Sequence, residues 1–182
     1  MDVDHVLQRL AENATQLENL EAPAAAGVYA YFLVDGVELP GVSNPGGGPV
    51  YVGVSSNLAE REFDTHFAAG KTGFSTLRRS IGAILKDQLS LRARPRGTGI
   101  SKSNFTNYRF DDSGEHHLSA WMHEQLLVAV EPIAEPEGLE RDLIALACPP
   151  LNLIGWRNPE AATIKAMRKA CADEAHREHL RR

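Results

Sequence analysis

Six side chains of this 182-residue sequence, in the order Tyr29, Tyr51, Arg61, His66, Glu140 and Asn152, are of types that phosphodiester hydrolysis can use. That reaction needs an activated water, neutralised charge on phosphorus and help for the departing alkoxide. Positioning and electrostatics supply most of its catalysis. Imidazole moves protons near neutral pH, and a guanidinium grips phosphate through paired hydrogen bonds. Each residue also has an ordinary structural use. Tyrosines suit strands. Arg61 can pair with Glu60 or Glu62 on a surface, which is worth little. His66 and Glu140 suit a helix end and a helix start, respectively, through the macrodipole. Asn152, after Pro149-Pro150-Leu151, suits a turn.

The elements that would carry these residues follow from pattern. Residues 4–20 place Val6, Leu7, Leu10, Leu17 and Leu20 at spacings that predict an amphipathic helix. Residues 27–34, rich in β-branched and aromatic types, predict a strand, with a turn at Asp35-Gly36. A loop over 40–49 leads to a second short strand, 49–54, so the two strands make an antiparallel hairpin with a long tip. Ser56 or Asn57 caps a helix through about His66 or Phe67, and Ser75 caps another carrying Leu77, Ile81, Ile84 and Leu85. Residues 104–110 alternate as a strand does, 119–126 read as helix and 127–133 as strand. Helices over 139–147, stopped by Cys148-Pro149-Pro150, and over about 160–180 complete the chain. Strands and helices mix without regular βαβ alternation, which is the α+β class in one domain spanning 1–182.

Composition sets the outer limits. Hydrophobic residues at 43% and charged residues at 24% describe a soluble globular chain. No apolar run approaches about 20 residues, and the N-terminus lacks a secretory pattern, so a cytoplasmic location is expected. Cys148 and Cys171 are too few for a disulfide framework or a four-ligand zinc site and are expected to be packing residues. His116, His117 and His123 lack further ligands at metal-site spacing. Gly46-Gly47-Gly48 and Gly70-Lys71-Thr72 lack the context of a phosphate loop, which excludes a nucleotide triphosphatase. The net charge of −5 argues mildly against nucleic acid, but its distribution argues the other way. Residues 71–109 carry Lys71, Arg78, Arg79, Lys86, Arg92, Arg94, Arg96, Lys102 and Arg109 against Asp87 alone. Residues 111–142 carry nine carboxylates against Arg141. A polyanion responds to the local field. Lys71, Arg78, Arg79, Arg92, Arg94, Arg96 and Lys102 are therefore candidate nucleic-acid contacts, to phosphates or to bases. Arg78 and Arg79 are expected on a helix beside the substrate channel.

Gly27-Val28-Tyr29 and Tyr51-Val52-Gly53 resemble the two half-motifs that name the GIY-YIG nuclease superfamily. The residues that follow make the resemblance specific: Ser55-Ser56-Asn57-Leu58, then Arg61 and His66, then Glu140 and the closing Pro150-Leu151-Asn152. It covers residues 27 to about 154, with helices 4–20 and 160–180 as extensions. Val28 and Val52 stand where the family has Ile, the link between the half-motifs is long, and the Lys of excision-repair members is missing. Arg61 with His66 is similar to the restriction-enzyme branch. The resemblance implies a short, mainly antiparallel sheet flanked by helices. It implies a metal-dependent endonuclease acting on DNA more than RNA, in restriction or repair. Glu140 would hold Mg2+ or Mn2+, Tyr29 would take the proton of the attacking water, and Tyr51 would assist through a hydrogen bond. Arg61 would hold the phosphate, His66 would bind phosphate or relay the proton, and Asn152 would fix a neighbouring group. Symmetric cutting would call for a homodimer, with helix 160–180 as one candidate interface. The rival readings are a catalytically inactive nucleic-acid-binding module and, more distantly, a protein-interaction domain.

Overall fold

The computed structural model describes residues 2–180, excluding the side chains of residues 62–64. Its main sheet has three antiparallel strands, β1 (Gly27–Leu33), β2 (Tyr51–Ser55) and β5 (Leu126–Pro132), in the order β2-β1-β5. The hairpin register sets Tyr29 opposite Gly53 and Tyr31 opposite Tyr51. The other edge of β1 pairs along its whole length with β5, from Gly27–Pro132 to Leu33–Leu126. A central strand covered on both faces has no reason to alternate polar with apolar residues, and β1 is buried almost throughout.

Helices cover both faces. Val28, Ala30, Phe32, Val52 and Ala129 join one core with Val6 and Leu10 of α1 (Val3–Glu12) and Leu143 and Ile144 of α5 (Pro136–Ala147). Tyr29, Tyr31 and Val128 join the other core. Its helical members include Leu77 and Ile81 of α2 (Thr76–Ile84), Leu118 and Met122 of α4 (Asp112–Gln125), and Ile164, Cys171 and Ala175 of α6 (Ala161–Leu180). Each such fully buried aliphatic side chain stabilises the fold by ~1.5–3 kcal/mol. Between α2 and α4 lie a two-residue ribbon, β3 (Ala93–Arg94) with β4 (Arg109–Phe110), and the short α3 (Lys102–Thr106). The α+β class and the flanked antiparallel sheet agree with expectation. No described helix is long and apolar enough to cross a membrane.

The two motif glycines have steric reasons. A Cβ on Gly27 would run into the Glu131 carbonyl oxygen, and one on Gly53 would overlap the Tyr29 phenol opposite it. Glycine is the residue that lets a backbone or ring approach this closely.

Several elements differ from the sequence expectation. The first helix ends at Glu12, because residues beyond it turn to the sheet: Thr15 and Val128 exchange backbone hydrogen bonds of 3.0 and 2.8 Å. Residues 104–106, expected in a strand, are helical as part of α3, since Ser101 and Asn104 form a reciprocal capping box. Cys148 is exposed in the left-handed cap of α5, not packed. The last helix, expected as a packed extension, contacts the rest of the chain through Lys86 Nζ, 3.0 Å from Glu174, and an ion pair between Arg94 and Glu178. Most consequential, the helix after β2 winds as a π-helix over Glu60–His66.

Candidate active site

The Tyr29 hydroxyl is the meeting point of the candidate set. Arg61 Nε donates to it at 3.2 Å, and His66 Nε2 lies 3.0 Å away. Arg61 and His66 are five residues apart, a spacing that an α-helix would splay. Hydrogen bonding from i to i+5 stacks residues at that separation, and such turns concentrate at functional sites. The π-winding thus brings both side chains to one phenol oxygen. Tyr29 itself is buried, with its ring 5.8 Å from that of Tyr31, 6.3 Å from Tyr51 and 5.3 Å from His66.

His66 is fully buried, and its other ring nitrogen, Nδ1, is 2.7 Å from Ser75 Oγ. Ser75 Oγ already accepts from the Arg78 backbone N–H at 3.1 Å, as the cap of α2. Ser75 is also fully buried, and His66 Nδ1 is the acceptor that the described residues offer its hydroxyl proton. Satisfying that proton assigns Nδ1 as acceptor and Nε2–H as donor to Tyr29. Burial, then the charges of Arg61 and Arg78, hold His66 well below the usual imidazole value, so it is neutral at neutral pH. Two N–H groups therefore point at the Tyr29 oxygen.

The Tyr51 phenol, whose ring stacks 6.3 Å from that of Tyr29, is held above the usual value by burial, against the lowering influence of Arg61, Arg168 and Tyr29. Glu140, on α5, acts on the same phenol and raises it. Glu140 is partly exposed and makes no hydrogen bond or ion pair with a described residue. Burial and neighbouring Glu137 keep its carboxyl above the usual range. An unneutralised carboxylate of this kind fits a hard divalent cation whose other ligands are water and substrate oxygens. Among the described residues no cluster of three His, Cys, Asp or Glu exists, so an all-protein cage is not the fitting geometry. Asn152 is buried and clamps β2: its Oδ1 accepts from Val52 N and its Nδ2 donates to Val52 O, both at 2.8 Å. It positions the strand carrying Tyr51 and Gly53.

The site rests on a buried ion pair. Arg78 Nη2 donates to Glu115 Oε2 at 2.9 Å, with both side chains almost fully buried. Arg78 also donates to Thr72 Oγ1, Ser119 Oγ and the His66 carbonyl at 3.0–3.1 Å. Glu115 in turn accepts from Gly70 N, Thr72 Oγ1 and Phe110 N. Every partner that a buried pair needs is present, and the knot ties the end of the π-helix to α2 and α4.

The basic segment resolves into two groups. Arg78 is internal, and Arg79 is buried with Nη1 on the Gly73 carbonyl at 3.0 Å. The expectation that both border a substrate channel is corrected for Arg78, whose donors serve the fold. Lys86, Arg94 and Arg109 pair with Glu174, Glu178 and Asp112. Lys71, Arg92, Arg96 and Lys102 have no carboxylate partner among the described residues and are at least partly exposed. Of the surface alternatives for Arg61, the Glu62 side chain lies outside the described residues. Two further contributors were not legible in the sequence. Ser75 reads there only as a helix cap, and Arg168 sits in a terminal helix with no motif spacing. A surface cleft along residues 33–47 contains none of the candidate set.

A family model described as the GIY-YIG catalytic domain matches residues 43–172. The match spans Tyr51, Arg61, His66, Glu140 and Asn152 and begins downstream of Tyr29, which the sheet register brings to the site. No curated protein and no solved structure matches the chain significantly.

Proposed function

The chain belongs to the GIY-YIG catalytic-domain family and is a phosphodiester-cleaving nuclease, and from that premise we propose that it is a divalent-metal-dependent endonuclease, with DNA preferred over RNA, serving restriction or repair. The observation that carries the reading is the convergence of Arg61 Nε and His66 Nε2 on the Tyr29 oxygen. An unperturbed phenol, with a pKa near ~10, is a poor base at neutral pH. Hydrogen-bond donors that favour its ionised form make it a better one. In this reading Tyr29 takes the proton of the attacking water, and Tyr51 stays a phenol that hydrogen-bonds to it. Arg61, beside the same oxygen, holds the phosphate and stabilises the charge that develops there. His66, neutral and oriented by Ser75, stabilises the phenoxide. Glu140 holds the divalent cation, Mg2+ or Mn2+, which when bound supplies Lewis-acid stabilisation of the leaving oxygen. Asn152 keeps β2 in register beneath these groups.

The test incubates the purified protein with supercoiled plasmid, and separately with RNA, in magnesium, manganese or chelator, beside Glu140→Ala. The reading expects metal-dependent nicking or linearisation of plasmid by the wild type, little by the variant, and slower RNA cleavage. Discrete fragments mark restriction-type specificity, and preference for branched or damaged DNA marks repair. Glu140→Ala cleaving at the wild-type rate in magnesium would refute the metal assignment.

A further inference from the structure

The turn Thr72–Phe74 immediately precedes Ser75, the residue that orients His66. Its last residue, Phe74, is 60% exposed. An exposed apolar residue alone means little, but this ring is flanked by two cations. The Arg96 guanidinium lies 4.9 Å and the Lys71 ammonium 5.9 Å from its centroid. Neither cation has a carboxylate partner among the described residues. Arg96 and Arg79 both donate to the Gly73 carbonyl at 3.0 Å, so one peptide group holds two guanidinium groups together. Gly73 permits this, since a Cβ there would lie 2.6 Å from Arg96 Cδ and 2.9 Å from the Asn107 carbonyl oxygen. Arg168 adds to the cluster: burial and the positive charges of Arg168 and Arg96 pull Arg79 down to about 10. Arg79 Nε is buried without a hydrogen-bond partner among the described residues. Like charges gathered without a counter-charge leave a local field that an anion relieves.

We propose that Lys71, Phe74 and Arg96 form a nucleotide subsite beside the catalytic tyrosines, where Phe74 stacks on one unstacked base and the two cations hold its flanking phosphates. The inference rests on the nuclease reading of the neighbouring site. It narrows the substrate to nucleic acid that presents an unpaired or readily unstacked base next to the cut. In an intact duplex the base faces are covered by their neighbours, so an aromatic face finds its match only where a base has left the stack. Aromatic stacking combined with a cationic track for the backbone is the usual chemistry of single-strand recognition, and cations on an aromatic ring add to it.

The test measures binding by fluorescence anisotropy, in chelator so that no strand is cut. The probes are a labelled 15-mer single strand, the same strand carrying an abasic site at each position in turn, its duplex, and the duplex with one unpaired base. Phe74→Ala is compared with the wild type and with Phe74→Trp. An exposed side chain can be exchanged without disturbing the core, and circular dichroism checks this. The expected result is that Phe74→Ala weakens the single strand and the unpaired-base duplex about fivefold to hundredfold, the range of one lost base–aromatic stack. Phe74→Trp restores binding, the intact duplex is little affected, and one abasic position abolishes the difference between Phe74→Ala and the wild type. Lys71→Ala and Arg96→Ala each lower the salt slope on single strands by about 0.7. Unchanged single-strand binding in Phe74→Ala, or an equal loss on intact duplex, would overturn the subsite while leaving the nuclease assignment standing. A wild-type protein that binds no nucleic acid of any form would overturn both.

Discussion

At the Tyr29 oxygen, two N–H donors meet a group whose own proton must leave before it can act as a base. Tyr29→Phe removes that oxygen and keeps the ring, so cleavage should fall by about 10²- to 10⁴-fold, and the buried His66 N–H left without its acceptor should cost ~1–3 kcal/mol of stability. Gly53 lies directly under the same phenol. Gly53→Ala should push the hydroxyl out of reach of Arg61 and His66, at a cost of ~1–3 kcal/mol in overpacking. Single-turnover rates and urea titrations would read both effects, and an alanine variant with wild-type cleavage would contradict the packing argument. His66 gives a pH signature. Its folded value is depressed below the unfolded one, ~6.5, so below that pH the unfolded chain binds the extra proton. Stability is then complete above about 6.5 and falls toward acid by up to ~1.4 kcal/mol per pH unit. Urea titrations from pH 7.5 to 5 should show this slope in the wild type and a flatter one in His66→Asn. The six candidates stand out in the sequence because their order resembles that of the family, whereas Ser75 reads there only as a cap. Its second role, passing a proton position to His66, depends on a contact between two elements that no local pattern encodes.

Among the elements, the π-helix over Glu60–His66 and the strand clamp by Asn152 do the positioning. The sequence predicts a helix after β2, but α- and π-winding share residue preferences, so the spacing of Arg61 and His66 became meaningful only with the observed winding. Asn152 satisfies both backbone groups of Val52 inside the protein. Asn152→Ala would leave a buried donor and acceptor unpaired and should cost ~1–3 kcal/mol for each. Calorimetry should show a lowered Tm, together with reduced cleavage because Tyr51 and Gly53 lie on the same strand. A variant with wild-type Tm would remove the clamp from the account. The ion pair beneath α2 makes a harsher prediction. Glu115→Ala strands the Arg78 charge in the interior and should destabilise by ~3–5 kcal/mol, read by urea unfolding. In the sequence Arg78 looked like a substrate contact because a cationic residue has the same appearance whether its counter-charge is solvent or a buried carboxylate. Glu115, its partner, lies on a different helix, and only the packing of α2 against α4 joins them.

Across the molecule, the sheet is central, helices cover both its faces, and the candidate site lies on the face where Tyr29, Tyr51 and His66 gather. The antiparallel hairpin and the α+β class were readable from strand composition and turn signals. The way the basic segment divides was not, since it required knowing which cations α4 and α6 neutralise. That division has a consequence for binding. If only Lys71, Arg92, Arg96 and Lys102, with Arg61 at the site, reach phosphate, the slope of log K against log salt on duplex DNA should be about −4 to −5. All nine basic residues of the segment acting together would give about −8. The most direct measurement for the whole account is single-turnover cleavage of an end-labelled DNA in magnesium, comparing the wild type with Tyr29→Phe across pH 6 to 9. The account predicts that the phenylalanine variant is slower than the wild type by about 10²-fold or more at every pH. A variant that cleaves at the wild-type rate with the same pH profile would contradict it.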